Sequence, residues 1–426
     1  MERFALSRMK EWKENENRKP LIIRGARQVG KTWIMKTFGQ QYFEKTAYVN
    51  FDNNARMKQV FEGDLDIERL VLSISAETGV SIEAENTLII FDEVQEVPKA
   101  LTSLKYFYEN APQYAIVAAE SLLGVALHQG TSFPVGKVDF LDLYPLNFRE
   151  FLCAMGEKQF VSMLDSCDTQ MVTVFKTKYI ERLREYYFVG GMPEVVKDFS
   201  EKKDYNRVRA IQKNLINYYQ QDFSKHAEIK LVPRLNLVWN SIPMQLAKEN
   251  KKYIYGQVRE GSRAKDFELA IQWLLDCGLI HKVQRIQKPD LPLKAYIDFD
   301  AFKLFLVDIG LLIAMTDLDA KVIIEGNKIF TEFKGALTEQ YILQQLISDV
   351  GVIPYYYSTQ NSKGEIDFLV QGKTSVIPIE VKAEENLKAK SLKAFCEKYQ
   401  PSYAVRTSMS DYREQDWMTN IPLYAV

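Results

Sequence analysis

The chain has 426 residues, 46% of them hydrophobic, enough to bury two or three separate cores. Its formal net charge of -1 excludes a global basic field that would draw it to nucleic acid, so any such contact has to come from a local patch. The cysteines Cys153, Cys167, Cys277 and Cys396 are scattered, with no C-x-x-C and no histidine-rich partner segment, which argues for reduced thiols over a zinc site.

The segment Met1 to Lys19 is densely charged and lacks the apolar core of a signal peptide. The longest apolar run, Leu304 to Met315, carries Asp308 and Gly310 and is too short to cross a bilayer. A cytoplasmic protein with no membrane segment is expected.

In chain order, the first predicted strand is Leu21–Arg24, and it runs straight into Gly25-Ala26-Arg27-Gln28-Val29-Gly30-Lys31-Thr32 and then the amphipathic segment Trp33 to Phe38. This is G-x-x-x-x-G-K-[ST] between a strand and a helix. The glycines let backbone N–H groups curl around phosphate oxygens, and the helix start behind them favours negative charge. Lys31 would reach the β- and γ-phosphates, and the Thr32 hydroxyl would hold Mg2+. Further strands are predicted at Ala47–Asp52, Leu88–Phe91, Ala115–Ala119 and Val138–Leu143, with helical patterns between them, as a parallel α/β sheet requires. Thr87-Leu88-Ile89-Ile90-Phe91-Asp92-Glu93 reads as a buried parallel strand with its carboxylates at the ligand-binding edge. Asp92 would join the Mg2+ shell and Glu93 would polarise an attacking water, which favours ATP hydrolysis over transfer to an acceptor.

The stretch Phe148–Tyr187 is helical in pattern and ends at the break Gly190-Gly191-Met192-Pro193. From Val232 to Val283 the pattern is a helical unit closed by a β-wing, with a helix over Leu235–Lys248 and another opened by Ser262 to Phe267. That order resembles a winged helix, in which Arg259, Arg263 and Lys265 would contact DNA phosphates. A packing module that only joins the two ends of the protein explains the same pattern.

Gly364 to Val370 places Asp367 inside an apolar strand, where a carboxylate is costly unless paired. After the turn Gln371-Gly372-Lys373, the segment Ser375 to Ala383 puts Glu380 and Lys382 on one face by period two. A hairpin would bring Asp367 beside them, and the upstream helix around Gly335–Ile342 adds Glu339. This is the D…[DE]-x-K metal arrangement of restriction-endonuclease-like folds. Asp367, Glu380 and Glu339 would bind Mg2+, and Lys382 would orient water and offset charge on a scissile phosphate. A solvated edge hairpin explains the E-x-K element but not the apolar setting of Asp367.

Together these features resemble a group of bacterial and archaeal ATP-binding proteins with an N-terminal AAA-type ATPase domain and a C-terminal domain of unknown function, often of restriction-endonuclease-like, PD-(D/E)xK, fold. The resemblance rests on Pro20 to Thr32, Ile90-Phe91-Asp92-Glu93-Val94-Gln95, and Ser132-Phe133-Pro134-Val135-Gly136-Lys137. It continues through Leu143-Tyr144-Pro145-Leu146 with Phe148-Arg149-Glu150-Phe151, Gly190-Gly191-Met192-Pro193, Lys303 to Leu311, and Asp367, Glu380 and Lys382. It implies ATP binding and hydrolysis, with the rest of the chain as an effector. AAA-type proteins place a polar sensor of the γ-phosphate after the fourth strand, and Ser121 is the candidate here. Where the family shows a small residue, this chain has Glu120, a carboxylate expected to slow hydrolysis or lock a nucleotide-bound state. Arg149, Arg182 and Arg184 are candidates for an arginine finger in cis or in trans, while Arg27, inside the loop, would lie over the nucleotide or reach a neighbouring subunit.

The expected fold class is α/β. An AAA-type P-loop ATPase domain with helices on both faces of its sheet spans residues 1–150, with a helical extension over 151–222. A winged-helix-like connector follows over 223–300, and an endonuclease-like α/β domain over 301–426. The expected partners are ATP and DNA or RNA, with a homo-oligomer as a further expectation. Two readings of the C-terminal module remain: a nuclease under ATP control, or a catalytically inactive, partner-binding domain of an ATP-gated signalling or scaffold protein. A kinase-like transferase is a third class, which phosphate release without an acceptor would exclude.

Overall fold

The computed structural model describes residues 2–121, 134–248, 251–324, 331–359, 364–385 and 389–426. The chain divides into two compact units, one of residues 2–144 with 276–278, the other of residues 145–275 with 279–426.

The N-terminal unit is built on a five-stranded sheet of β1 (Leu21–Gly25), β2 (Lys45–Asn50), β3 (Thr87–Asp92), β4 (Ala115–Ser121) and β5 (Asp139–Asp142). The strand order is β2-β3-β4-β1-β5 and every pairing is parallel. Parallel connections need crossovers, and the helices Lys31–Tyr42, Ile67–Thr78 and Pro98–Asn110 supply three of them. Every residue of β3 is buried, as expected of an inner strand covered on both faces. The second strand ends two residues before the predicted Asp52, because the Asn50 side chain accepts the Asp52 N–H at 2.8 Å and turns the chain out of the ladder. Phe91 sits among Phe51, Phe61 and Phe107, edge-on at centroid distances of 5.4, 5.7 and 6.5 Å. Each such pair contributes roughly 0.5–1.5 kcal/mol beyond area burial, so the strand carrying Asp92 is held in a stiff setting.

The C-terminal unit opens with helices, among them Phe148–Ala154, Lys158–Asp165, Lys176–Val189, Pro193–Lys202, Tyr205–His226, Val232–Leu246 and Ala264–Asp276. An eight-stranded mixed sheet follows: β6 (Ile280–Ile286), β7 (Ile297–Leu306), β8 (Tyr355–Ser358), β9 (Glu365–Gln371), β10 (Val376–Val381), β11 (Val405–Ser408), β12 (Arg413–Gln415) and β13 (Met418–Pro422). Its order is β12-β13-β11-β10-β9-β8-β6-β7. The hairpin read from the sequence is present, with Val376 opposite Gln371 and Ile379 opposite Phe368.

The organisation of this half differs from the expectation in two places. The boundary drawn at 300 falls inside β7, and β6, at whose start the connector's wing was read, is a strand of the eight-stranded sheet together with β7. The physical reason is Ala301–Leu306, six consecutive buried residues, apolar but for Lys303, that need cover on both faces, which a free wing does not provide. The helical stretch after 150 also belongs to the same compact unit as this sheet.

The Gly190-Gly191 break is a close approach rather than a simple turn. A Cβ on Gly191 would lie 2.1 Å from the Leu146 carbonyl oxygen. The Gly191 N–H donates to Asp308 Oδ2 at 2.6 Å, while Asp308 caps the helix Ile309–Met315 by accepting from the Leu311 N–H at 3.1 Å. Burial pushes the Asp308 carboxyl up to about 6 in spite of these donors.

Candidate functional site

At the C-terminal edge of the parallel sheet, β1 ends at Gly25 and the next helix starts at Lys31. A Cβ at Gly25 would stand 2.2 Å from the Leu143 carbonyl oxygen, so only glycine fits. Gly30 takes φ 95°, a left-handed conformation open to glycine, and no side chain caps the helix behind it. The first helical N–H groups are thus left without a side-chain acceptor, the condition for anion binding. The Lys31 ammonium is buried and donates to the carbonyls of Gly25 at 2.8 Å and Ala26 at 2.9 Å. Burial lowers it to about 8, against the opposing pull of Glu93 and Asp92. In the same loop Val29 is buried, Arg27 is half-buried and Gln28 is exposed.

The end of β3 meets this loop. Thr32 Oγ1 donates to Asp92 Oδ2 at 2.7 Å, and the Tyr48 hydroxyl donates to the same oxygen at 2.9 Å. The Glu93 N–H donates to Asp92 Oδ1 at 3.1 Å. Glu93 itself has φ 52° and ψ 44°, a left-handed backbone that a non-glycine residue adopts at some cost. That backbone turns its side chain out of the strand, where the Gln95 amide donates to Glu93 Oε2 at 2.5 Å. The structure therefore brings together Lys31, Thr32 and Asp92, with Glu93 next in line. Thr32 and Asp92 offer facing oxygens of the kind Mg2+ takes alongside phosphates and water, so the donor set fits that ion.

Three contributors to this region are not among the expected site residues. Tyr48 lies in the middle of β2, and burial together with Asp92 raises its phenol well above the ordinary range. Gln95 is visible only once Glu93 has turned. Arg3 is buried and donates to the Val29 carbonyl at 3.1 Å and the Tyr144 carbonyl at 2.6 Å, tying the loop to the chain end of the same unit. A lone arginine near an N-terminus has no spacing from which this could be read.

Ser121 ends β4 opposite Gly25, but its side chain lies outside the described residues, as do positions 122–133. Glu120 is 1% exposed and neither carboxylate oxygen has a hydrogen-bond partner among the described residues. Burial pushes it up to about 7, with Arg24 and Lys31 pulling the other way. In register, Arg24 has Glu120 on one side and Asp142 on the other. It commits to Asp142, donating at 2.9 and 3.1 Å, and lies 4.2 Å from the Phe140 ring centroid.

The arginines proposed as fingers in the C-terminal unit have partners there. Arg149 pairs with Asp165 and Asp349, Arg182 with Glu157 and Glu185, and Arg184 reaches the Ile324 carbonyl at 3.4 Å. Arg259, Arg263 and Lys265 are exposed.

The C-terminal acids do not gather as the D…[DE]-x-K reading requires. Glu339, on the helix Thr331–Ser348, has both carboxylate oxygens taken by ammonium groups, Oε1 by Lys251 and Oε2 by Lys303 at 3.4 Å. Lys303 is fully buried on β7 and also donates to Glu365 Oε1 at 2.5 Å. Asp367 Oδ2 accepts the Val381 N–H at 2.7 Å. Burial and the neighbouring Glu339 push Asp367 up, while Lys251 and Lys303 outweigh burial and bring Glu339 down. Glu380 pairs instead with Lys382, at 3.0 Å. Among the described residues no three His, Cys, Asp or Glu side chains are grouped so as to hold a metal ion. Where the expected Mg2+ site called for Asp367, Glu380 and Glu339, lysines hold both oxygens of Glu339 and Oε1 of Glu380, while Asp367 Oδ2 accepts a backbone N–H.

Residues 17–152 match the family described as AAA domain, so the N-terminal unit carries an AAA-type P-loop domain. Residues 180–322 match a domain of unknown function (DUF8612), and residues 334–426 match another (DUF4143). No curated protein matches the sequence. Among solved structures, the chain is similar to a Walker-type ATPase of Pyrococcus abyssi at 14% identity and a TM-score of 0.44, covering 74% of this chain and 95% of that one. It is also similar to the Orc1 protein of Aeropyrum pernix in complex with DNA, at 12% identity and a TM-score of 0.28, over 73% and 91% of the two chains. The RuvB Holliday junction branch migration motor of Thermotoga maritima follows at 11% identity and a TM-score of 0.31, over 65% and 87%. All three likenesses are distant. No helix among the described residues is long and apolar enough to cross a membrane.

Proposed function

We propose that the N-terminal unit binds ATP with Mg2+ and hydrolyses it, and that its nucleotide state controls the C-terminal unit. The observation that carries this reading is the contact of Thr32 with Asp92 beside the buried Lys31, at the mouth of an uncapped helix. Gly25 to Thr32 would wrap the phosphates, and Lys31 would exchange the carbonyls of Gly25 and Ala26 for phosphate oxygens. Thr32 and Asp92 would hold Mg2+, whose contribution is to neutralise phosphate charge. Glu93, steadied by Gln95, would orient and polarise water, and Ser121 would sense the γ-phosphate. A carboxylate that polarises water favours hydrolysis over transfer, so a kinase-like activity is the weaker reading.

Beyond this unit we read the helices after residue 150 as the path by which nucleotide state reaches an endonuclease-like module, with the winged-helix-like segment as a nucleic-acid contact. The exposed Arg259, Arg263 and Lys265 support a phosphate-binding surface for DNA or RNA. The second reading is an ATP-gated scaffold whose C-terminal module binds a partner without cutting it, and the lysines on Glu339 favour it.

Phosphate release from ATP without an acceptor tests the first claim. Activity should need Mg2+, vanish in Lys31→Ala, and survive loss of the C-terminal acids. Binding of ATP with no phosphate release would leave a nucleotide-sensing protein. Incubation with DNA and RNA in Mg2+ or Mn2+, with Asp367→Ala as control, tests the second.

A further inference from the structure

The acid cluster of the C-terminal unit is largely neutralised from within. Glu339, Glu365 and Asp367 converge from one helix and one strand, and two ammonium groups, Lys303 from β7 and Lys251 from the segment ahead of it, sit on Glu339 and Glu365. Lys303 is 0% exposed and Glu339 4% exposed, so these pairs are inside the protein rather than on a solvated rim. Lys303 also lies 4.9 Å from the Tyr356 ring centroid, which adds an attraction to its charge. A divalent ion and a buried ammonium group compete for the same carboxylate oxygens. Both oxygens of Glu339 are spent, and Lys382 takes the near oxygen of Glu380. A metal binding Glu339 would have to displace Lys251 and pull Lys303 back onto Glu365 alone, which is costly in a low-dielectric interior.

We propose that Lys251 and Lys303 act as built-in cations in place of a divalent metal, so that the C-terminal unit keeps its acid cluster without metal and does not cleave nucleic acid through it. The inference chooses between the two effector readings above, but it stands or falls on the C-terminal unit alone. Removing one ammonium group should leave more carboxylate charge than the remaining lysine offsets, and so raise the cluster's affinity for a divalent ion.

The test is Mn2+ binding to the full chain, followed by loss of the free-ion electron paramagnetic resonance signal, with thermal unfolding in chelator or Mn2+ alongside. All samples carry Asp92→Asn, which removes the N-terminal cation site, so a failure of the ATPase reading cannot be mistaken for a failure here. The parent should leave millimolar Mn2+ free and unfold at the same temperature with or without chelator. Lys303→Met should unfold earlier in chelator, recover in Mn2+, and bind the ion more than tenfold more tightly than the parent. Lys251→Met, at the more open end of the cluster, should show the same gain if Lys303→Met does not fold. Mn2+ binding by the parent that Asp367→Asn abolishes would overturn the proposal. Lysine variants that gain no affinity, or metal-dependent cleavage of nucleic acid lost in Asp367→Ala, would overturn it too.

Discussion

Glu120→Gln offers the sharpest check on how the nucleotide site is wired. Burial raises this carboxyl from 4.5 to about 7, and neither oxygen has a partner among the described residues. At ~1.4 kcal/mol per pH unit of displacement, an ionised Glu120 costs the fold about 3 kcal/mol. The acid's folded-state pKa lies above its unfolded value. Between 4.5 and about 7 the native protein therefore holds a proton that the unfolded chain has released, and stability falls as pH rises through that window. Glutamine has the same shape and cannot ionise. The gap in stability between Glu120→Gln and the wild-type protein should accordingly widen by about 2 kcal/mol from about pH 5 to about pH 8. Equilibrium urea unfolding reads this, with the transition reported by Trp12 and Trp33 assigned to the N-terminal unit. A gap of the same size at both pH values would mean that the carboxylate is solvated or compensated, and the argument from burial would be wrong. The same ionised group stands near Lys31, so Glu120→Gly should speed ATP turnover, and unchanged turnover would remove Glu120 from the account of hydrolysis.

Glu93→Gln should retain ATP binding while turnover drops by roughly two orders of magnitude or more, as single-turnover phosphate release can measure. Arg3→Ala leaves the carbonyls of Val29 and Tyr144 without their donor. At about 1–3 kcal/mol for a buried unpaired polar group, it should destabilise the N-terminal unit and weaken nucleotide affinity several-fold in a fluorescent-nucleotide titration. Gly191→Ala drives a Cβ to within 2.1 Å of a backbone oxygen that cannot move independently. A loss of about 2–4 kcal/mol is expected, seen as an earlier thermal transition of the C-terminal unit, and an unchanged transition would show that the approach relaxes freely.

The five strands of the N-terminal sheet were legible because each is a short apolar run bounded by turn residues, and an inner parallel strand such as Leu88–Phe91 looks the same in sequence and in place. The phosphate loop was legible for a stronger reason: the need for glycine at Gly25 and Gly30 is a backbone requirement, written directly into residue type. The hairpin of β9 and β10 was likewise visible from period two. The grouping of β6 and β7 was not, since a hairpin on a connector and a hairpin joined to a large sheet share one local pattern. Its available signal is the apolar run from Leu304 to Met315, whose first residues complete β7 and which also fits a segment too short to cross a membrane.

Local order, the nucleotide loop and the acids worth asking about were thus determined by the sequence alone, because they depend on neighbours a few residues apart. The partners of those acids were decided by tertiary structure. Lys251 meets Glu339 across 88 residues of chain and Lys303 meets it across 36, and no spacing rule links them. Tyr48 comes to Asp92, and Arg3 to Val29, in the same way. Whether a carboxylate is free for a metal or already neutralised depends on which charges folding buries beside it, and burial is a property of the packed chain.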